Sequence, residues 1–350
     1  MNLALTEEQE FVRRTFATLF AKEADPARVR AAEPVGHDPG LWAHMIATGA
    51  LGVGVPEDAG GGGGGVLELA LIAEEAGRRL APVPVAEPAA AARLLSACGA
   101  AQLLSDALDG TRIVSLATRP GPVASQFLAD GAIADVVVAL EGDRIVAVHR
   151  PPDVRPTSNM GGLPLARWSE AAEVEVLTDG GEACRWFSAA MDEVRILRAA
   201  ALVGLAGEAI EIGAAYARQR EAFGVPIGTY QAVAHPLADA LVAKDGAQLL
   251  TWKACWALGE DLPGASALAS MAFVYAAETA YATAQHSLHI HGGYGFTVEC
   301  DIQLYYRRAK AWVTAFADPE RELDVVAHGL YGPARTGTQR AASAAAPGVG

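Results

Sequence analysis

Two short stretches of this chain carry side chains able to hold a phosphate or a flat ring, each beside a glycine-rich break in a long alanine-rich helical pattern. The first is Arg-Gln-Arg-Glu-Ala-Phe-Gly-Val-Pro-Ile-Gly-Thr-Tyr-Gln over 218–231, in which Arg220 stands three residues before Phe223 and eleven before Gln231. A guanidinium binds a pyrophosphate through paired N–H donors, and a phenyl ring beside it can pack on an adenine. The same residues also suit a helix-end salt bridge and a core contact, and their types alone leave both readings open. The second stretch is His-Ile-His-Gly-Gly-Tyr-Gly over 289–295. Gly292, Gly293 and Gly295 let backbone approach a ligand closely, and amides near a helix end can meet phosphate oxygens. Helix corners use glycine as well. His291 reads as a satisfied structural histidine.

The elements that must position these residues follow from pattern. Thr6 with Gln9 makes a capping-box start, and Phe11, Phe16, Leu19 and Phe20 recur at roughly helical spacing. Leu41-Trp42 and Met45-Ile46 sit one turn apart with Gly49 able to end their helix, and Val66 to Leu80 repeats apolar residues. Between them lie six glycines, Gly60 to Gly65, without the Lys-Ser/Thr ending of a P-loop, which read as a mobile connector. Residues 1–103 are therefore expected to form a helical domain.

From Arg112 the texture changes to short β-branched runs: Ile113–Leu116, Val136–Leu140, Ile145–Val148 and Val174–Val176. Glu141-Gly142-Asp143 reads as a hairpin turn. A small, shortened, barrel-like β-domain is expected over 104–187. Helical periodicity then returns over 188–218, 231–258, 265–291 and 318–330, and short connections imply an antiparallel four-helix bundle within 188–332. Residues 333–350, with no apolar periodicity, read as a disordered tail. The fold class expected is mainly α with a small central β-domain.

Composition narrows the function classes. The chain has 350 residues, 51% of them hydrophobic, with no apolar run long enough to span a membrane. A formal charge of −14, from 27 basic against 41 acidic residues, argues against a nucleic-acid partner. Cys98, Cys184, Cys255 and Cys300 form no CxxC pair, which argues against a zinc site or a disulfide scaffold. No secretory signal is visible at the start, so the cytoplasm is the expected location.

Helices, then strands, then a bundle, with these motifs in this order, resemble the acyl-CoA dehydrogenase family, in particular its short, actinobacterial-type members. Leu51-Gly-Val-Gly-Val-Pro56-Glu57 is similar to a phrase of that family's first domain. The resemblance implies FAD as cofactor. Arg220, Phe223 and Gln231 would reach across a dimer interface to the FAD of a neighbouring subunit. His289, where the family has Gln, would contact the ADP part together with Gly292 and Gly293. Thr118 of Thr118-Arg119-Pro120-Gly121 matches the family's Thr-Glu-Pro segment beside the flavin ring, with arginine in place of the acid and a shorter loop behind it. The family's Trp-containing strand against the flavin is not recognisable. Arg307, Arg308 and Lys310 resemble framework residues and read as structural ion pairs. The implied activity is α,β-dehydrogenation of an acyl-CoA, in fatty acid or sterol side-chain degradation. Electrons would pass to an electron-transfer flavoprotein or similar acceptor, from a homo- or hetero-oligomer, a dimer of dimers.

The family's base is where the sequence departs most. Its usual Glu falls six residues after Lys310, at Phe316, which cannot take a proton. The alternative position falls at Val194, beside Asp192 and Glu193. Glu193 is the displaced base to consider, although one residue along a helix turns a side chain by about 100°. Asp318-Pro319 reads as a helix cap rather than a base. Three functions stay open: a working dehydrogenase using Glu193, a base-deficient FAD-binding partner in a heteromeric dehydrogenase, and another flavin oxidase or monooxygenase on this fold.

Overall fold

The computed structural model describes residues 4–168 and 173–332; the 333–350 tail lies outside the described residues. Helix α1 (Glu7–Glu23) starts at the expected capping box, where Thr6 Oγ1 accepts from the Gln9 amide at 3.2 Å and Gln9 Oε1 accepts from the Thr6 amide at 3.0 Å. It buries Phe16 and Phe20, one turn apart, whereas Phe11 is exposed because five residues rotate it about 140° from Phe16. α2 (Pro26–Ala32) and α3 (Pro39–Ala47) each begin with an aspartate cap and a first-turn proline, at Asp25 and Asp38.

The six-glycine run is a hydrogen-bonded loop rather than the loose connector its composition suggests. The amides of Gly62, Gly63 and Gly64 donate to the carbonyls of Gly52, Val55 and Val53. A Cβ on Gly61 would come within 2.1 Å of the Val55 carbonyl oxygen, so glycine here serves close approach of two backbone segments. α4 (Val66–Arg78), α5 (Ala86–Ala97) and α6 (Ala101–Leu108) complete the helical region.

Strands β1 (Val114–Leu116), β3 (Val136–Glu141), β4 (Arg144–His149) and β6 (Val174–Asp179) follow and form a four-stranded sheet in the order β1-β3-β4-β6. β1 pairs parallel with β3 and the other pairs are antiparallel, the β3–β4 hairpin turning at Gly142 with φ +65°. β3 is apolar at consecutive positions because both faces are covered. Val136, Val138 and Leu140 face the helices, while Val137 and Ala139 pack with Trp168 and Leu128. β2 (Phe127–Leu128) and β5 (Ala166–Arg167) form a separate antiparallel pair.

The bundle contains α7 (Gly181–Gln219), α8 (Gln231–Gly259), α9 (Ala265–Ile290), α10 (Ile302–Phe316) and α11 (Pro319–Tyr331), with the small hairpin β7 (Glu221–Ala222) and β8 (Val225–Pro226) between α7 and α8. α10 is one helix more than the apolar periodicity indicated. Its sequence mixes Arg307, Arg308 and Lys310 with aromatics, and Asp301 makes no capping hydrogen bond. α4 crosses α7 so closely that a Cβ on Gly77 would meet the Ala201 carbonyl oxygen at 2.0 Å and one on Gly204 would meet that of Glu74 at 1.9 Å. This contact locks the first domain onto the bundle.

Candidate active site

Between the β-domain and the bundle lies a cleft of about 490 Å³. One wall carries Arg119, after β1, and Phe127, on β2; the other carries Tyr281 of α9 and Tyr306 and Lys310 of α10. Phe127 is 52% exposed, an unusual place for a phenyl ring, and the Arg167 guanidinium lies 5.5 Å from its centroid. Tyr281 and Tyr306 stack at 5.6 Å with their hydroxyl oxygens 3.3 Å apart, and Lys310 Nζ sits 5.4 Å from the Tyr281 ring centre. Lys310 thus makes a cation–π contact, with no ion pair among the described residues. Arg307 and Arg308 both pair with Glu33, at 2.5 and 3.2 Å. Burial pushes the Glu33 carboxyl up, but the two guanidiniums outweigh it and hold the group below its ordinary value. Burial lowers Arg308 to about 10.

Tyr306 also lines a second, neighbouring cavity, of about 390 Å³, whose walls on α9 include His286 and His289. His286 is pushed down from its ordinary value by burial, and its Nε2 is buried without a hydrogen-bond partner among the described residues. His289 is exposed at the end of α9, and Gly292 and Gly293 follow with nothing within 4 Å of where a Cβ would stand. That open backbone suits a ligand's close approach. His291, by contrast, is committed to structure: Nδ1 lies 2.7 Å from the Ser287 carbonyl and the ring stacks on Tyr216 at 4.1 Å.

The Tyr216 contact brings the two sequence motifs to one end of the bundle, because Arg220 is the residue that caps α7 one turn beyond Tyr216. Arg220 is exposed and makes no ion pair among the described residues, so the helix-end salt bridge is not what occupies it. In the following hairpin Phe223 and Gly224 have φ +54° and +83°, the geometry of a two-residue hairpin turn. Positive φ is costly for a phenylalanine, and here it holds out a ring that is 97% exposed. Gln231 is the exposed first residue of α8. Thr118 is half-buried, next in sequence to Arg119, and is not among the residues lining the cleft.

The carboxylates considered as base do not gather here. Phe316 is buried edge-on against Phe273 at 5.1 Å. Glu193 is buried and accepts from Arg93 Nε at 2.9 Å, while its Oε2 has no partner among the described residues. Burial raises its carboxyl and Arg93 pulls it back. It lines a separate cavity of about 240 Å³ with Trp186 and Pro56, which has no lining residue in common with the cleft. Asp192 pairs with Arg195 at 2.9 Å and accepts from Ser266. Asp318 caps α11, accepting from the Glu320 amide at 3.1 Å. Sequence reasoning missed Phe127, Tyr281 and Tyr306, whose aromatic character blends into strand and helix patterns. The exposure of Phe127 is visible only in three dimensions.

The family model for the acyl-CoA dehydrogenase C-terminal domain matches residues 184–329, and that for the N-terminal domain matches residues 6–108. The chain belongs to the acyl-CoA dehydrogenase family. It is 31% identical over 323 residues to acyl-CoA dehydrogenase IpdE2 of Mycolicibacterium smegmatis, covering 91% of this chain and 97% of that protein. Among solved structures it resembles the ChsE4–ChsE5 complex of Mycobacterium tuberculosis, with a TM-score of 0.84, 25% identity, and coverage of 95% of this chain and 100% of that one. It also resembles the Tcur3481–Tcur3483 steroid ACAD, with a TM-score of 0.81, 26% identity, and coverage of 97% and 99%. The family is one of oxidoreductases, and its helix–sheet–bundle architecture is the one seen here. No helix among the described residues is long and apolar enough to cross a membrane.

Proposed function

We propose that this chain is an FAD-dependent acyl-CoA dehydrogenase whose flavin ring lies in the cleft between β2 and α9/α10. The observation that carries the reading is a pair of neighbouring cavities that share Tyr306, one lined by Arg119 and Phe127 and the other by His286 and His289, with the open Gly292-Gly293 backbone following His289 in sequence. Their volumes, about 490 and 390 Å³, fall in the range of cofactor pockets, roughly 300–1,000 Å³. Aromatic rings flank the wider one, and the unpartnered His286 Nε2 stands at the narrower one, with His289 beside it. These groups fit a flavin dinucleotide with its ring toward Phe127 and its ADP part toward His289.

When bound, FAD supplies a two-electron acceptor for a hydride leaving the acyl chain. The protein's own residues bind and orient it. Phe127 and Tyr281, on opposite walls of the cleft, would hold the ring, and Lys310 and Arg307 would add positive charge along that side. Arg220, Phe223 and Gln231 project from the surface, exposed as side chains serving a neighbouring subunit's FAD must be. Leu241, Val242, Leu249 and Trp256 leave one face of α8 apolar and exposed, which suits burial between subunits. An acyl-CoA and an electron-transfer flavoprotein or similar acceptor complete the reaction.

A second reading has one observation in its favour. With Phe316 sealed against Phe273 and Glu193 tied to Arg93, the base could reside in a homologous partner, this chain serving as its FAD-binding companion. Solution behaviour separates the two. The chain purified alone should carry the yellow flavin absorbance and bleach on adding an acyl-CoA. A colourless protein that turns yellow only when co-expressed with a longer homologue would instead establish the companion role.

A further inference from the structure

The cavity of about 240 Å³ beside Glu193 lies between the C-terminal half of α5 and the N-terminal third of α7, and it shares no lining residue with the cleft. Its walls are mostly apolar. Pro56 comes from the loop before the glycine run, Leu94 and Ala97 from α5, and Trp186, Ala189 and Ala190 from α7. The α7 residues, with Glu193, stand at i, i+3, i+4 and i+7, so one stripe of the helix faces the cavity. Pro56, Ala97 and Ala189 are exposed and give it a mouth open to solvent.

One carboxyl is set into this apolar wall. Glu193 is only 7% exposed. Arg93 Nε donates to its Oε1 at 2.9 Å, and the same guanidinium donates through Nη1 to the Gly54 carbonyl. Oε2 is buried and has no hydrogen-bond partner among the described residues. Most buried side-chain oxygens have a partner, so a bare one on a cavity wall marks a place where a ligand's polar group is welcome. Size sets the rest of the ligand. An apolar cavity of about 150 Å³ takes up benzene. The 240 Å³ here therefore has room for a ring of that size with a polar substituent.

We propose that this cavity binds a small neutral alcohol, whose hydroxyl bonds Glu193 Oε2 and whose hydrocarbon body packs on Trp186, Leu94 and Pro56. The site stands apart from the flavin cleft and does not depend on what the cleft holds. The head group follows from the carboxyl. Burial raises the Glu193 carboxyl against the pull of Arg93, and a hydroxyl suits either charge state. It donates to a carboxylate oxygen and accepts from a carboxylic acid. An ammonium would shed its hydration beside a carboxyl that Arg93 already neutralises, and a second carboxylate would face Glu193 itself. Because Pro56 and α5 belong to the first domain and α7 to the bundle, an alcohol held here bridges two domains and stabilises the chain in proportion to its occupancy.

The full chain is titrated with probes that share one ring and differ in the head group: cyclohexanol, cyclohexane, cyclohexylamine and cyclohexanecarboxylate. Binding is read by saturation-transfer NMR on the probe and by the fluorescence of Trp186, assigned by comparison with Trp186→Phe. Cyclohexanol should bind at least about tenfold more tightly than either charged probe. Glu193→Leu should weaken cyclohexanol relative to cyclohexane by about 10- to 150-fold, the loss of one hydrogen bond to a charged group. Glu193→Gln should keep most of the alcohol's affinity, since an amide also donates to or accepts from a hydroxyl. Ala189→Trp leaves Glu193 and Arg93 in place, fills the mouth and should abolish binding, which keeps the test open if Glu193→Leu fails to fold. Undiminished cyclohexanol binding in Ala189→Trp would put the alcohol elsewhere and overturn the site. No saturable binding of cyclohexanol to wild type would overturn it too, water alone then satisfying Oε2. Cyclohexylamine binding more tightly than cyclohexanol, or equal losses of cyclohexanol and cyclohexane in Glu193→Leu, would overturn the alcohol assignment.

Discussion

The exposed end of the bundle, proposed above to meet the cofactor, and the buried junction where α5, α7 and the β-domain meet both present an arginine, and they treat it in opposite ways. Arg220 is exposed and without an ion pair among the described residues, next to an outthrust phenyl ring and open glycine backbone. Arg198 is buried, bonded to Glu87, and hemmed in by three domains. Arg198, being buried, needs an internal partner and has one, whereas water can solvate the exposed Arg220 without any partner on the chain. The junction holds the molecule together; the proposed role of the exposed end requires a ligand and a neighbour.

The sharpest way to break this contrast is to remove each arginine. Arg198→Met leaves Glu87 buried without its cation and should cost about 3–5 kcal/mol of stability, read as a lower midpoint in urea unfolding. The next largest effect concerns Asp130, which is buried at the same junction, in the turn after β2, and accepts from the Ser115 hydroxyl at 2.7 Å. Its carboxyl titrates at about 7 when folded, against an ordinary value of 3.8, so the folded state holds the proton more tightly. That contribution to stability is complete below 3.8 and is lost as pH rises through about 7. Wild type should therefore lose stability over this window relative to Asp130→Asn, by at most about 4 kcal/mol, measured as the difference between the two proteins' pH–stability curves. Parallel curves would mean that Asp130 is charged throughout.

Arg220→Ala comes third and should act elsewhere. With no acidic partner to orphan among the described residues, it should leave the melting of the flavin-free chain unchanged while weakening FAD binding by about 1.5–3 kcal/mol, the value of a hydrogen bond to a charged group. That is roughly 10- to 150-fold in Kd by fluorescence titration. If Arg220→Ala instead destabilised the chain as Arg198→Met does, the division between the two regions would collapse.

How much of this is legible in the sequence depends on whether the signal is local. Arg220, Phe223 and Gly292-Gly293 announce themselves because the glycines and the helix break lie beside them in sequence. The Thr6–Gln9 cap and the Gly142 hairpin are likewise local. The Glu87–Arg198 pair joins residues 111 positions apart, and nothing in either helix marks them as partners. Gly60–Gly65 misleads for a related reason: composition speaks for flexibility, but the run is pinned to Gly52–Val55 by hydrogen bonds only the folded loop shows. α10 escapes notice as a separate bundle helix although Ile302, Tyr305, Ala309, Val313 and Phe316 form an apolar stripe along it, because Arg307, Arg308 and Lys310 read as framework ion pairs rather than as one face of a helix.

The smallest expected effect is also the one most specific to the cleft. The β-domain holds two large aromatic residues in its smaller sheet region, and only one can meet a flavin. Trp168 is buried, its Nε1 donating to the Gly131 carbonyl at 2.8 Å, so it is spent on the β-domain core. Phe127 has Arg167 near its ring and the cleft beside it. Phe127→Leu keeps bulk and apolarity but removes the π face, and should weaken FAD binding by about 0.5–1.5 kcal/mol. The bound flavin's visible band should shift as well, since the ring would lose an aromatic neighbour. Trp168→Phe should do the reverse, lowering stability by leaving the Gly131 carbonyl unpaired while leaving the flavin band where it was. If both substitutions shifted the band equally, the flavin would not be resting on Phe127, and another stretch of the β-domain would have to take its place beside the ring.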